Sequence, residues 1–276
     1  MKKERVDVLL VQQGLFDSRE QAKRSVMAGE VYGKNDERID KPGEKIDAET
    51  VLSVKGRKIP YVGRGALKLA KAVEVFNIDL QDKIALDIGS STGGFTDVAL
   101  RNGAKLCYAL DVGYNQLAWK LREDPRVVVM ERVNFRYSQP EDFTNGQPDF
   151  AMTDVSFISL HKILVPLKPI LKPDCEAVAL IKPQFEAGPE NVGKHGIVRD
   201  PKVHKMVVKD IVDFSLATGY DVLGLDFSPI KGGEGNIEFL IHLRNTTAET
   251  GTMAPNVNID TVLENAYAAL KRPTGK

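Results

Sequence analysis

Net charge is the first thing this sequence lacks. Its 38 basic residues balance 38 acidic ones over 276 positions, so overall charge selects no polyanionic partner. Cysteine is also scarce. Cys107 and Cys175 each sit in an apolar, strand-like run, lack metal-ligand spacing and are too few for a disulfide scaffold. They read as buried free thiols of a cytoplasmic protein. His161, His195, His204 and His242 show no metal spacing, so no metal site and no catalytic role falls to them. No run approaches the roughly 18 apolar residues of a membrane-spanning helix. The charged residues 1–4 are followed by no apolar core of signal-peptide length. Internal repeats are absent.

What is present is ample core material, 42% apolar residues, in a chain long enough for one large domain and a small module. Residues 1–59 read as the module. "RVDVLLVQQG" has helical apolar spacing and stops at Gly14. "DSREQAKRSVMAGE" starts with Ser18 and Gln21 in capping-box spacing and puts Ala22, Val26 and Met27 on one face. Arg19, Lys23 and Arg24 fall on or near the other. Short extended pieces, "EVYG" and "ETVLSVKG", follow among turn residues. Between Glu49 and Glu74 there is no acid, while Lys55, Arg57, Lys58, Arg64, Lys68 and Lys71 form a basic stripe. Such a stripe suits an RNA or DNA backbone, and equally a solvated linker.

From about Val62 short apolar runs alternate with helical segments. Strands are expected at 84–88, 105–112, 127–131, 149–153 and 176–181, with helices around 94–102, 115–123 and 160–171. That alternation is the signature of an open parallel α/β sheet. Asp200 and Pro201 cap a helix ending at Gly219. Two more strands, 221–227 and 236–243, are joined by "SPIKGGEG", too short for a crossover helix, so the last strand should run antiparallel. A polar linker and a surface helix over 259–271 complete the chain.

The stretch "LDIGSSTGGFTDVAL" is a strand entering a glycine turn and a helix. A dinucleotide fingerprint needs a second glycine where Ser91 stands, and a P-loop needs a lysine where Phe95 stands. What remains is Asp87-x-Gly89 followed by Gly93 and Gly94, with Asp111 ending the next strand to hold ribose hydroxyls. A ribose-bearing cation without pyrophosphate, S-adenosylmethionine, fits this loop. A turn that merely packs a helix on a strand remains the plain alternative.

Acceptor chemistry is expected at the end of the fourth strand, "TDVSF". The prolines of amine-methylating sites are missing, and neither cysteine lies at a strand–loop junction to attack a pyrimidine carbon. A hydroxyl acceptor survives, and it needs a base beside it. Asp154, Lys182 in "LIKPQFE", Lys68 before the first strand and Glu238 in "NIEFLI" are the titratable groups available. Lys68, Lys182 and Glu238 each also read as an ordinary surface or strand-end charge.

Together with "VGRGALKLAKAVEVF", "ALDVGYNQLAW" and "GKHGIVRDP", these strings make the chain resemble the TlyA-type (hemolysin A) group of FtsJ-like ribosomal RNA 2′-O-methyltransferases, over roughly residues 5–243. The resemblance implies a Rossmann-like seven-stranded methyltransferase sheet over 60–245 (60–64 being linker), followed by a polar linker and helix. It also implies an alpha-L RNA-binding domain over 1–59. S-adenosylmethionine would be the donor, and a cytidine 2′-hydroxyl in ribosomal RNA or a ribosomal subunit the acceptor. Lys182 would be the base, its pKa lowered by Lys68, with Asp154 and Glu238 orienting the lysines and the hydroxyl. Asp87, Gly89, Ser91, Thr92, Gly93, Phe95, Asp111, Asn134 and Asp154 would hold the donor. Arg5, Arg19, Lys23, Arg24, Arg57, Lys58 and Arg64 would meet RNA. "VYGKNDERID" departs from the Val-x-Val-Asn-Gly string common in that RNA-binding module, and Tyr61 replaces a tryptophan of mycobacterial relatives. Two other functions compete, a membrane-active hemolysin and a non-catalytic RNA-binding assembly factor. No oligomeric state is assigned.

Overall fold

The computed structural model describes residues 3–34, 37–54, 60–232 and 235–270. The chain divides into two compact units, residues 1–60 and 61–276.

In the first unit, strand β1 (Lys3–Arg5) leads into helices α1 (Val6–Gln12) and α2 (Arg19–Met27), then strands β2 (Val31–Tyr32), β3 (Lys45–Asp47) and β4 (Ser53–Val54). β1 pairs with β3 and β2 with β4, both antiparallel. The Ser18 hydroxyl caps α2 by accepting from the Gln21 N–H at 3.3 Å. Val6, Leu9 and Leu10 of α1 meet Ala22 and Val26 of α2 in one small core, as the helical spacing predicts. Met27, expected on that face, is exposed instead, because the helix ends there.

The second unit begins with α3 (Ala66–Val75), β5 (Ile84–Ile88) and α4 (Gly94–Arg101). β6 (Leu106–Asp111), α5 (Trp119–Arg122), β7 (Val127–Glu131), β8 (Phe150–Thr153), α6 (His161–Ile170) and β9 (Glu176–Ile181) follow. The remaining elements are α7 (Pro183–Glu186), α8 (Pro201–Ala217), β10 (Tyr220–Phe227), β11 (Phe239–Asn245) and α9 (Ile259–Ala269). Seven strands form one sheet in the order β10-β11-β9-β8-β5-β6-β7. β5 to β9 are mutually parallel, and β11 runs antiparallel to both neighbours, as the short glycine loop requires. Ile84, Leu86 and Ile88 of β5 face the core shared with α6 and α8. Ala85 faces the opposite core, shared with α3 and α4. The period-2 alternation therefore turns Asp87 toward α4. α9 buries Val262, Leu263 and Ala266 in the first of these cores.

Two boundaries differ from the sequence expectation. The helix expected over 115–123 is reduced to α5, because the Asn115 N–H donates to Glu131 Oε1 (2.8 Å) and Asn115 itself is left-handed. The last strand starts at Phe239 rather than at 236. Asn236 is occupied in holding a distant loop, accepting from the Val198 N–H and donating to the Gly196 carbonyl. Cys107 is buried in β6 as expected, whereas Cys175 is only half-buried, one residue before β9.

Candidate active site

Strand order reverses around β5, whose chain continues to β6 on one side while β8 flanks it on the other, opening a crevice at the carboxyl ends. The turn after β5 depends on glycine. Gly89 has φ +83°, and a side chain there would press on the Asp154 carbonyl at 3.2 Å. Asp111 at the end of β6 fixes the loop, accepting from the Ser91 N–H at 2.8 Å and the Gly113 N–H at 2.7 Å. Each of its oxygens keeps a lone pair for a further donor. A cavity of about 520 Å³ opens here, lined by Gly89, Ser91, Asp111, Asn134 and Asp154, together with apolar Val112, Val133 and Val155.

Four other residues expected to hold the donor are placed differently. Phe95 is buried in the core on the α3–α4 side. Gly93, with φ +92°, is a packing position: a Cβ there would lie 2.3 Å from Leu121 Cδ1. Thr92 is exposed, its carbonyl accepting from the Ala118 N–H. Asp87 is fully buried, Oδ2 accepting from the Thr96 N–H (2.9 Å) and hydroxyl (2.7 Å). These four shape the loop from beneath or behind instead of lining the cavity. The physical reason is strand and helix alternation, which a linear motif does not reveal. Burial pushes the Asp87 carboxyl up to about 7 against the Thr96 hydrogen bonds, with the Asp154 and Asp111 charges adding to the rise.

The acceptor-side residues do converge. Asp154, just past β8, forms an ion pair with Lys182 at 2.5 Å through Oδ1 and accepts from Lys68 at 3.1 Å through Oδ2. Lys68 also pairs with Glu238 Oε2 at 2.7 Å. The result is a chain of alternating charge, Lys182–Asp154–Lys68–Glu238, in which Lys68, Lys182 and Glu238 are all less than a tenth exposed. Close packing permits it: a Cβ on Gly94 of α4 would lie 3.0 Å from the Ala66 nitrogen at the start of α3, the helix that carries Lys68. Burial opposes the Lys68 charge, but the Asp154 and Glu238 carboxylates outweigh it and raise its pKa. Burial likewise pushes Asp154 up, and the two ammonium groups outweigh that and hold it below the usual carboxylate range.

Two polar partners escaped the sequence reading. The Ser156 hydroxyl accepts from Lys182 at 3.2 Å, and the Gln184 amide donates to Glu238 Oε1 at 3.3 Å. Both lie two residues beyond a member of the ion chain, within the strings "TDVSF" and "LIKPQFE", and that adjacency was the available signal.

The basic stripe needs correction. Lys68 is buried in the ion chain, and Lys71 pairs with Asp226 (3.1 Å), donates to the Phe227 carbonyl (2.7 Å) and covers the Phe227 ring. Acids distant in sequence draw both inward. Arg64 is exposed, and Lys55, Arg57 and Lys58 lie outside the described residues. In the first unit Arg5 and Arg19 both grip buried Asp7, at 2.9 and 3.0 Å, and their hydrogen bonds, Arg5 foremost, lower its pKa. Lys23 is paired with Glu20 at 3.4 Å, and Arg24 is exposed.

The FtsJ-like methyltransferase family matches residues 61–245, the stretch that carries the sheet, the glycine loop and the ion chain. The chain belongs to that family. It is 60% identical to the candidate rRNA methyltransferase YqxC of Bacillus subtilis, over 98% of this chain and 96% of that one. It is 42% identical to the 16S/23S rRNA (cytidine-2′-O)-methyltransferase TlyA of Mycobacterium tuberculosis, over 89% and 91%. A solved structure described as a candidate hemolysin from Streptococcus thermophilus shares 57% identity and a TM-score of 0.78, over 98% and 97%.

The methyl donor of this FtsJ-like methyltransferase is S-adenosylmethionine. The residues present fit it. Asp87, Asp111 and Asp154 gather around the loop, and the charges of the last two disfavour ionisation of the first, so the site favours a cationic ligand. Asp111 keeps acceptor capacity for ribose hydroxyls, and the cavity volume lies within the range of small-ligand pockets, roughly 300–1,000 Å³.

Proposed function

We propose that this methyltransferase 2′-O-methylates a cytidine in ribosomal RNA, with Lys182 as general base. The observation that carries the reading is the buried Lys182–Asp154–Lys68–Glu238 chain, which reaches the donor cavity through Asp154. S-adenosylmethionine supplies an electrophilic methyl group on a sulfonium. Lys182 Nζ is the atom that takes the 2′-hydroxyl proton as the oxygen becomes the nucleophile. The Asp154 carboxylate and the Ser156 hydroxyl both hold that nitrogen in place. Lys68 ties Asp154 to Glu238, so no carboxylate of the cluster is left unpaired in a buried setting. Phe157, 90% exposed beside the Phe185 ring, offers a face on which the target base can stack.

Residues 1–59 act in this reading as an RNA-binding module and 60–245 as the catalytic domain, in a cytoplasmic protein. Lys23, Arg24 and Arg64 supply cationic contacts to the RNA backbone, as do Arg5 and Arg19, which keep solvent-facing surface while held by Asp7. Cytidine and ribosomal RNA follow the substrate named for the Mycobacterium tuberculosis relative. Among the described residues no helix is long and apolar enough to cross a membrane.

The test is transfer of labelled methyl to ribosomal subunits or RNA lacking the modification. Wild type should methylate them. Lys182→Ala should lose transfer and still bind S-adenosylmethionine in calorimetry. Full activity in that variant would remove Lys182 as the base, and absence of transfer by wild type to any ribosomal RNA would remove the substrate assignment.

A further inference from the structure

α7 begins at Pro183, directly after Lys182, so Gln184 projects from the first turn of a helix that starts inside the acceptor site. Its Nε2 donates to Glu238 Oε1 at 3.3 Å. That contact fixes the amide orientation, since the flipped amide would set oxygen against a carboxylate oxygen. Oε1 is thereby left free. It is buried and has no hydrogen-bond partner among the described residues. A buried acceptor without a donor calls for an explanation, and beside a substrate site the explanation is a donor that arrives with the substrate.

The chemistry of the substrate narrows that donor. A nucleotide within an RNA chain offers only its 2′-hydroxyl and the donors on its base edge. The 2′-hydroxyl proton goes to Lys182 in the proposed reaction. The base edge remains. The next residue, Phe185, lies 4.9 Å ring to ring from exposed Phe157, so Gln184 adjoins the aromatic pair suited to stack the base. Cytosine presents an N4 amino donor where uracil presents an O4 acceptor.

We infer that Gln184 is the residue that reads the target base, its Oε1 accepting a hydrogen bond from the cytosine N4 amine. The inference rests on the transfer reaction proposed above. It gives a cytidine preference a physical origin: uracil would set O4 against Oε1 and leave both acceptors unpaired.

The experiment compares wild type and Gln184→Met, a substitution close in size that removes the acceptor, on RNAs differing only at the target nucleotide. That nucleotide is cytidine, uridine, or the pyrimidin-2-one ribonucleoside that lacks the amine. Wild type should favour cytidine over both by about 10-fold or more in kcat/KM, the range of one good base-edge contact. Gln184→Met should lose about 10-fold on cytidine and little on the amine-free nucleotide, so the preference collapses, while S-adenosylmethionine affinity stays at the wild-type value. A role confined to steadying Glu238 would slow all three substrates alike and leave the ratio intact, which overturns the inference. Should the variant fail to fold, wild type alone still decides: equal rates on cytidine and the amine-free nucleotide refute base reading, and a 10-fold loss supports it. No transfer by wild type to any of the three would instead overturn the proposed reaction.

Discussion

Replacing Asp87 by asparagine isolates what it costs to bury a carboxyl under the donor loop. The folded pKa is raised to about 7 from 3.8, chiefly by burial. For an acid with a raised folded pKa the unfolded chain gives up its proton first. The contribution is therefore neutral below 3.8, grows more unfavourable as pH climbs toward about 7, and is constant above that. Integrating the linkage from about pH 5 to about pH 8 gives a loss of roughly 2–3 kcal/mol. Asparagine does not ionise. Its oxygen can still accept from Thr96, and whatever its amide costs at the Oδ1 position is the same at both pH values. That fixed cost cancels when the wild-type-minus-variant difference at one pH is subtracted from the other. For a unit of this size the remaining change corresponds to about 5–10 °C in Tm, in favour of Asp87→Asn at the higher pH. Thermal unfolding of the full chain at a series of pH values reads it directly. Parallel Tm curves for the two proteins would show that Asp87 ionises normally and that burial does not govern it.

Gly93→Ala should cost about 2 kcal/mol or more, because a left-handed backbone and the Leu121 and Leu117 methyls both reject a Cβ. Urea denaturation measures the loss, and S-adenosylmethionine binding should fall with it. Lys68→Met leaves Glu238 buried without its cation and should destabilise by about 3–5 kcal/mol. A wild-type urea midpoint would mean the ion chain is not buried as described. His204 is kept below its ordinary pKa of 6.5 by burial, with its Nδ1 2.7 Å from the Tyr267 hydroxyl. Its contribution is therefore present above pH 6.5 and lost as pH falls through the lower folded value. Wild type should lose more stability than His204→Gln across that window, as pH-dependent urea titrations would record.

Much of the fold was written in short-range pattern. Strand runs, the helix capped by Ser18 and the antiparallel final strand follow from apolar periodicity, one hydroxyl and one loop too short for a crossover. The glycine loop and Asp111 were legible for the same reason: a strand end, a turn and the next strand end lie within 25 positions, and the chain itself fixes their relation. Tertiary structure decided the rest. It turned Asp87 and Phe95 away from the cavity and drew Lys68 and Lys71 out of an apparent surface stripe. It joined Glu238 to Gln184, and Lys182 to Ser156. Periodicity reports only which residues share a face. Which charges meet depends on where separate strands end and which helix packs across them, and in a buried cluster opposite charges must find each other wherever the chain supplies them.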